Sequence, residues 1–286
     1  MTSEPSIRKF PTEIFGYSYT EHGYDARQAL DAQFCPFLSD ICKKPRKSEP
    51  QIKVGVCSTG YQGRFLNEFR PIIICPHRFL QDDTVFDTID RLYLLNGDRT
   101  VQWVSEVSIG AAGSVDYVAV KLDAEGTTVE DFLCVEFQAA GTTGTPWPAV
   151  LDFKENRAFS RNSYDYGINW ANEFVKTMMQ QVYKKGRVIQ SWNRKIIFVV
   201  QDVAIEYLRS AVDTSGLRDV NDNDPIHFVT FGMEWQSGAG WKLAHNGSYS
   251  TDLAGVNRIL GGAMAEDFPT EETFKSNVYS KLIGRL

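Results

Sequence analysis

The most informative hydrophobic pattern in the chain is a pair of alternating segments between positions 113 and 140. DYVAVKL alternates β-branched and other residues, FLCVEFQ is apolar apart from two polar positions, and DAEGTTVED between them is polar with a glycine. This pattern predicts two β-strands joined by a turn. Because alternate residues of a strand share a face, we expect Glu136 and Gln138 to project together, opposite to Val135 and Phe137.

Closure of this hairpin about Thr127 would gather polar side chains at one end. In that register Asp116 lies opposite Gln138 and Val118 opposite Glu136, so Asp116, Glu136 and Gln138 share one face. Two acids and an amide suit Mg²⁺, which prefers one or two carboxylates together with water and phosphate oxygens. The alternative is a pair of solvated acids at strand ends, which is the commoner arrangement.

Hydrophobic periodicity elsewhere predicts the elements that flank the hairpin. Residues 79–112 are expected to be mostly helical, with a stop at Asn96-Gly97, and 169–192 to form a long helix that buries Trp170, Phe174, Met178 and Val182. The run RKIIFVVQD predicts a buried central strand, PIHFVTFGMEWQ predicts another, and ETFKSNVYSKLIGRL predicts a short helix. This order predicts an α/β core with a mixed sheet flanked by helices.

Four of the five cysteines, Cys35, Cys42, Cys57 and Cys75, occur in one N-terminal stretch with the spacing C-x6-C-x14-C-x17-C. The stretch has few periodic apolar positions, so we expect that burial alone does not stabilise it. Metal binding coupled to local folding would supply the missing stabilisation, and four thiolates suit zinc or iron. The alternatives are four unrelated buried thiols, or a site in which His77 is a ligand.

Composition and charge narrow the class of protein. The 286 residues are 43% hydrophobic, which is ample for a core. No apolar run has membrane-spanning length and the N-terminus lacks a signal-peptide pattern, so we expect a cytoplasmic protein. A net charge of −6 argues against a nonspecific nucleic-acid coat protein but not against an enzyme with a local basic cleft.

Basic and amide side chains that suit DNA contact occur in three polar segments. Basic residues cluster in KKPRK at 43–47 and in KKGR at 184–187. Residues 139–167 are expected to form a long polar loop, with Arg and Asn side chains of the types that pair with guanine and adenine. Singly, each is more typical of an ordinary surface residue. The DNA-binding candidates are Lys43, Lys44, Arg46, Arg64, Arg157, Arg161 and Asn162.

An acid at the head of one strand and an E-x-polar motif in the next, between two helices, resemble the PD-(D/E)xK nuclease fold. The motif here is Asp116 with Glu136-Phe137-Gln138, where Gln138 replaces the usual lysine. NotI-like type II restriction endonucleases combine a Glu-x-Gln ending with an N-terminal four-cysteine module. FCPFLSDICKK, GVCSTGYQGRF and IICPHRF, followed by VSE, SVDYV and CVEFQ, are similar to that group over positions 30–200.

The resemblance implies a restriction-endonuclease-like core over 79–286 and a small four-cysteine metal module within 1–78. It implies that Asp116 and Glu136 bind Mg²⁺, that Gln138 occupies the lysine position, and that Glu106 is a supporting acid from the preceding helix. The four cysteines would hold iron, although their spacing leaves zinc open. The resemblance also implies a prokaryotic homodimer that cuts both strands of a GC-rich palindrome in double-stranded DNA, with a GGCC-containing site as our expectation.

The expected chemistry is hydrolysis of DNA phosphodiester bonds, with Mg²⁺ polarising the scissile phosphate and activating a water. Gln138 can orient groups but supplies no positive charge, so the role of the usual lysine is open. One alternative is a non-catalytic, sequence-specific DNA-binding protein in which the four-cysteine module is the functional part. Another is a repair or mobile-element nuclease that cuts structured or nonspecific DNA.

Overall fold

The structure is a computed structural model that describes residues 8–62, 66, 68–93, 101–262 and 270–283. Shorter helical segments in these ranges are Pro76–Asp83, Gly110–Ala112, Ala171–Met178 and Arg258–Gly262. No helix in the described ranges is long and apolar enough to cross a membrane. The α-helices are α1 (Tyr24–Ala32), α2 (Thr84–Tyr93), α3 (Trp147–Asn156), α4 (Met179–Ser191), α5 (Asp202–Ala211), α6 (Leu253–Asn257) and α7 (Glu271–Ile283).

The strands form one large sheet, a smaller N-terminal sheet and three two-stranded ribbons. They are β1 (Lys9–Ile14), β2 (Tyr17–Ser18), β3 (Phe34–Cys35), β4 (Asp40–Ile41), β5 (Pro45–Arg46), β6 (Glu49–Lys53), β7 (Val56–Tyr61), β8 (Arg70–Ile73), β9 (Val101–Ser108), β10 (Ser114–Leu122), β11 (Val129–Gln138), β12 (Thr142–Gly144), β13 (Tyr166–Ile168), β14 (Ile196–Gln201), β15 (Arg218–Asp219), β16 (Ile226–Gln236) and β17 (Gly240–Thr251).

The large sheet is mixed, as the sequence predicts, and has the strand order β15-β17-β16-β14-β11-β10-β9. Its central strand β14 pairs in parallel with β11 and with β16, whereas the outer pairs are antiparallel. All six residues of β14 are buried. The continuous apolar run predicts this position because a strand covered on both faces needs apolar side chains at every residue.

Helices cover both faces of this sheet. On one face, Ile196, Phe198 and Val200 of β14 pack with the long helical segment. The predicted apolar residues Phe174, Met178 and Val182 of that segment are buried there. On the other face, Val199 packs with α2 through Ile89. Alternate residues of β14 thus serve two different layers, as the two-residue period of a strand requires.

The smaller sheet, β2-β1-β7-β8, is joined to the large one through buried polar side chains. The Arg78 guanidinium donates from Nε to both carboxylate oxygens of Glu13 on β1, at 3.0 and 2.9 Å, and from Nη2 to the carbonyl oxygen of Trp241 on β17 at 2.8 Å. At the end of β14, the Gln201 amide accepts from the Ile73 N–H at 2.8 Å and donates to the Pro71 carbonyl at 2.7 Å. These side chains replace a backbone ladder between the two sheets.

Two segments differ from the sequence prediction. The helix expected over 79–112 is confined to α2 and the turn before it, and 101–108 is instead strand β9, whose residues pair with β10. The predicted stop at Asn96-Gly97 lies outside the described residues. The loop expected over 139–167 contains β12, α3 and β13. Pro146 and Pro148 of this segment lie at the start of α3, where the N–H that proline lacks would have no partner within the helix.

Two further elements, α5 and β17, were not predicted from the sequence. Burial in the N-terminal stretch also exceeds the expectation, because β7 and β8 contribute Val56, Ile72 and Ile73 to the hydrophobic clusters of the protein. Burial therefore contributes to this stretch, whereas its stabilisation by a metal stays a prediction. Its apolar residues pack against the large sheet, and a pattern within 35–78 alone does not reveal that partner.

Glu13→Gln should destabilise the protein by about 3–5 kcal/mol, because it leaves the Arg78 guanidinium buried without a countercharge. Both side chains are almost fully buried, at 2% and 0% exposure. Asp40→Asn is the matched control, because the Asp40–Lys43 pair is more than half exposed and such pairs contribute little. Urea unfolding followed by fluorescence measures both. Equal midpoints for the two variants would contradict the structural role of the buried pair.

Candidate functional site

The predicted hairpin is formed by β10 and β11, in a register two residues from the expected one. Tyr117 pairs with Val135, so Asp116 falls opposite Glu136 and not opposite Gln138. The turn is centred earlier because the Asp123 N–H donates to the Thr128 carbonyl, which closes a tighter loop. A shift of two residues preserves the face of every side chain, so Asp116 and Glu136 still share a face, as predicted.

A row of three acids crosses the start of this hairpin. Strand β9 pairs with the other edge of β10, with Val107 opposite Val115 and Ser105 opposite Tyr117. Glu106 therefore lies opposite Asp116. Glu106 therefore lies on a strand, and the prediction that it comes from a helix is wrong. It is exposed and has a left-handed backbone (φ 55°), an uncommon conformation that occurs more often at functional sites.

Backbone hydrogen bonds hold the two inner acids together. The Phe137 N–H donates to Asp116 Oδ2 at 2.7 Å, and the Asp116 N–H lies 3.4 Å from Glu136 Oε2. Each carboxylate therefore contacts the backbone of the other's strand. Asp116 is half-buried, whereas Glu136 is buried beneath the helical layer.

Lys185 is the residue of this site that sequence reasoning missed. Its Nζ forms an ion pair with Glu136 Oε1, and both side chains are more than nine-tenths buried. Lys185 belongs to α4 and lies on the same buried face as Val182 and Ile189. A signal was present in the sequence, since Lys185 follows Val182 by three residues on the predicted apolar face, where a lysine is rare unless it is paired.

The two acids share one cation in a poorly solvated place. Burial raises the pKa of Asp116, and so does Glu106, while the Phe137 N–H, Lys185 and His77 oppose this rise. Burial also raises the pKa of Glu136, followed by the charge of Asp116, against the lowering effect of Lys185. When Asp116 and Glu136 are both ionised, the two carboxylates and the Lys185 ammonium together carry one net negative charge. A hard cation fits such a site.

Gln138 completes the predicted set on the same face of β11. It is half-buried, and its Nε2 is 3.5 Å from the Ala139 carbonyl, a weak contact that leaves the amide available to a ligand. Within the described residues, no group of three or more His, Cys, Asp or Glu side chains is arranged to hold a metal ion. A site with two carboxylates is still sufficient for Mg²⁺, which takes its remaining ligands from water and substrate.

The four N-terminal cysteines are all buried and influence one another. Burial raises the pKa of Cys57, with Cys75 as the next cause, and it raises the pKa of Cys35, to which Cys42 contributes. In the described part of the chain, however, the cysteines do not form a group that is arranged to hold a metal ion. The Cys75 Sγ lies 3.9 Å from His77 Nδ1, and the charge of His77 is one of the causes that lower the pKa of Asp116.

The DNA-binding candidates of the segment 43–47 differ in their availability. Lys43 is exposed and pairs with Asp40, whereas the Lys44 ammonium donates to the Ile74 carbonyl at 2.7 Å and is half-buried. Arg46 pairs with Glu49 and lies over the Trp147 ring, 5.0 Å from its centroid. Lys154 lies over the same ring at 5.7 Å. This brings the basic segment together with α3.

The other candidates lie after α3 or outside the described residues. Arg157 ends α3 in a left-handed conformation, lies 4.9 Å from the Phe153 ring centroid and donates to the Glu21 carbonyl at 3.3 Å. Arg161 and Asn162 are exposed. Arg64 lies outside the described residues.

Comparison with known proteins assigns the family. A search of curated proteins found no match. The family model described as restriction endonuclease NotI matches residues 13–243, which include the acid row, Lys185 and all four N-terminal cysteines. Because the match covers most of the chain, this protein belongs to the NotI restriction endonuclease family and is a type II site-specific nuclease that hydrolyses double-stranded DNA.

Proposed function

We propose that this endonuclease depends on Mg²⁺ and that Asp116 and Glu136 bind the metal. The observation that carries the proposal is that these two poorly solvated carboxylates lie opposite each other on β10 and β11, each bound to the backbone of the other strand, with Lys185 paired to Glu136. When bound, Mg²⁺ polarises the scissile phosphate and favours deprotonation of the attacking water. Two carboxylates with open positions beside them are the usual protein contribution to such a site.

The surrounding side chains have complementary roles in this proposal. Gln138 donates from its amide to a phosphate oxygen or orients the attacking water, and it carries no charge to transfer. Glu106, exposed at the edge of the acid row, accepts the proton of that water as it attacks phosphorus in line and the 3′ oxygen leaves. The Phe137 N–H keeps Asp116 oriented while the metal and the substrate bind.

The proposal includes a DNA-binding surface beside the acid row. Arg46 and Lys154 lie over the Trp147 ring, and Lys43 is an exposed lysine of the same basic segment as Arg46. All three suit contact with phosphates, because such contacts need charge and not a particular base. Arg161 and Asn162 remain candidates for base contacts, since they are exposed. Lys44 and Arg157 are weaker candidates, because each is half-buried and donates to a backbone carbonyl of the protein.

The four cysteines are proposed to bind a structural metal, with iron as the family-based expectation and zinc as the alternative. The burial of all four thiols and their electrostatic influence on one another support this, because a cation would offset the cost of ionising thiols that burial disfavours. The division of the chain into residues 1–78 and 79–286 also stays a prediction.

The DNA recognition site and the oligomeric state are proposed from family membership alone. We propose a cytoplasmic homodimer whose two sites cut the two strands of a GC-rich palindrome, with GGCC as part of the site. A twofold symmetric dimer matches a palindrome because each subunit meets the same half-site. A non-catalytic DNA-binding role is less consistent with the family, whose members are nucleases.

Asp116→Asn and Glu136→Gln should each slow cleavage of long defined DNA in Mg²⁺ by about 10³-fold or more, which corresponds to about 4 kcal/mol of transition-state stabilisation. The measurement is single-turnover cleavage, with sequencing of the fragment ends to give the site and the cut position. Glu125→Gln is the matched control, since Glu125 is an exposed acid in the turn of the same hairpin. Near wild-type cutting by both active-site variants would exclude the assigned carboxylates.

The purified protein should contain about one equivalent of iron or zinc per chain, as expected for a four-thiolate site. Cys57→Ser should lower the metal content and the urea midpoint. Cys134→Ser is the control, because Cys134 is equally buried but lies on β11, outside the N-terminal group. Elemental analysis gives the content. Metal-free wild-type protein with four reactive thiols in the folded state would remove the structural metal.

Light scattering should give about twice the chain mass of 32.3 kDa for the protein in solution. The same measurement on the complex with cleavable-site DNA in Ca²⁺ should give two chains per duplex. A single chain on a duplex that it cuts in both strands would contradict the proposed dimer.

A further inference from the structure

The lysine that Gln138 replaces in the motif has a counterpart elsewhere in the fold. Lys185 brings an ammonium to Glu136 from α4, and so from a different element than the strand that normally carries the lysine. We propose that Lys185 is a positioning residue that supplies this charge from beneath the sheet and sets the net charge of the metal-loaded site. The inference rests on the proposed function of Asp116 and Glu136.

The packing of α4 fixes Lys185 in this place. A Cβ at the adjacent Gly186 would lie 2.5 Å from Ile226 Cδ1, so the glycine allows the helix to approach the sheet closely. Lys185 is 5% exposed and lies between buried residues of the same helix. Its ammonium therefore acts on the substrate through Glu136 and through its field, and it does not reach out to the DNA as a mobile surface lysine would.

Counting charges shows what Lys185 changes. Asp116, Glu136 and Lys185 together carry one negative charge when all three are ionised, and a divalent cation converts this set to one positive charge. Loss of Lys185 makes the empty and the loaded site one unit more negative, whatever the charge of Glu106. The transition state of phosphodiester hydrolysis gains negative charge, so the more positive loaded site stabilises it better. Lys185 thus weakens metal binding and strengthens catalysis.

These opposite effects distinguish the proposal from a purely structural role. In a structural role, loss of Lys185 would disturb Glu136 and weaken both metal binding and cleavage. A buried ion pair is also a poor source of stability, since apolar replacements of both partners are often tolerated. The position of Lys185 against one of two adjacent acids is therefore better explained by the charge of the site than by the stability of the core.

The test compares Lys185→Met with Lys184→Met in the full-length protein. Lys184 is an exposed neighbour on the same helix and serves as the matched control. We expect Lys185→Met to bind Ca²⁺ about 10-fold more tightly by calorimetry, because a nearby like charge is removed, and to cleave DNA at saturating Mg²⁺ about 10²-fold more slowly in single turnover. Lys184→Met should change neither quantity.

Lys185→Gln guards against a folding failure, because it keeps a donor for Glu136 and removes only the charge. It should shift Ca²⁺ affinity and cleavage in the same opposite directions. Unchanged or weaker Ca²⁺ binding in a folded Lys185 variant, or an equal response of the Lys184 control, overturns the proposal. If the wild type binds Ca²⁺ through these acids but cuts no DNA, the proposed function fails while the affinity comparison still decides the role of Lys185.

Discussion

The constraint on which the site depends is the parallel pairing of β11 with the fully buried strand β14, in which Glu136 lies beside Phe198. This pairing fixes both faces of β11, so Val135 and Phe137 enter the layer of α2 and Glu136 must enter the layer of α4. A carboxylate in that apolar layer is costly unless it has a countercharge. Lys185 provides it, and the sheet, the helix and the site are therefore determined together.

A second buried ion pair joins the N-terminal sheet to the large sheet. Arg78 and Glu13 are buried where the small sheet meets β17, and Gln201 binds the backbone of β8 at the end of β14. The end of β8 that Gln201 binds leads directly into Cys75, whose Sγ lies 3.9 Å from His77 Nδ1.

Sequence patterns predicted those parts of the fold that depend on local periodicity. The buried run of β14, the apolar face through Phe174 and Val182, and the common face of Asp116 and Glu136 follow from periods of two and 3.6 residues. The register of the hairpin could not be predicted in this way, because it depends on the hydrogen bond from the Asp123 N–H to the Thr128 carbonyl. The strand that contains Glu106 could not be predicted either, because it depends on pairing with β10. Lys185 meets Glu136 across 49 residues, a contact that periodicity does not encode, although a lysine on an apolar face indicates that some partner exists.

Gln138 removes the positive charge of the usual motif lysine from β11, and in our proposal Lys185 supplies a positive charge from α4 instead. A lysine on β11 would lie two residues from Glu136 and point toward the half-buried side of the site, whereas Lys185 reaches the same carboxylate from the protein interior. An interior ammonium is screened less by salt than an exposed one, since water and ions do not surround it. In the proposed function, the neutral amide of Gln138 is then the donor on the substrate side, and it binds oxygen atoms without competing with the metal for charge. Separating the cation from the substrate-facing donor in this way explains how a motif without its lysine remains compatible with phosphodiester hydrolysis.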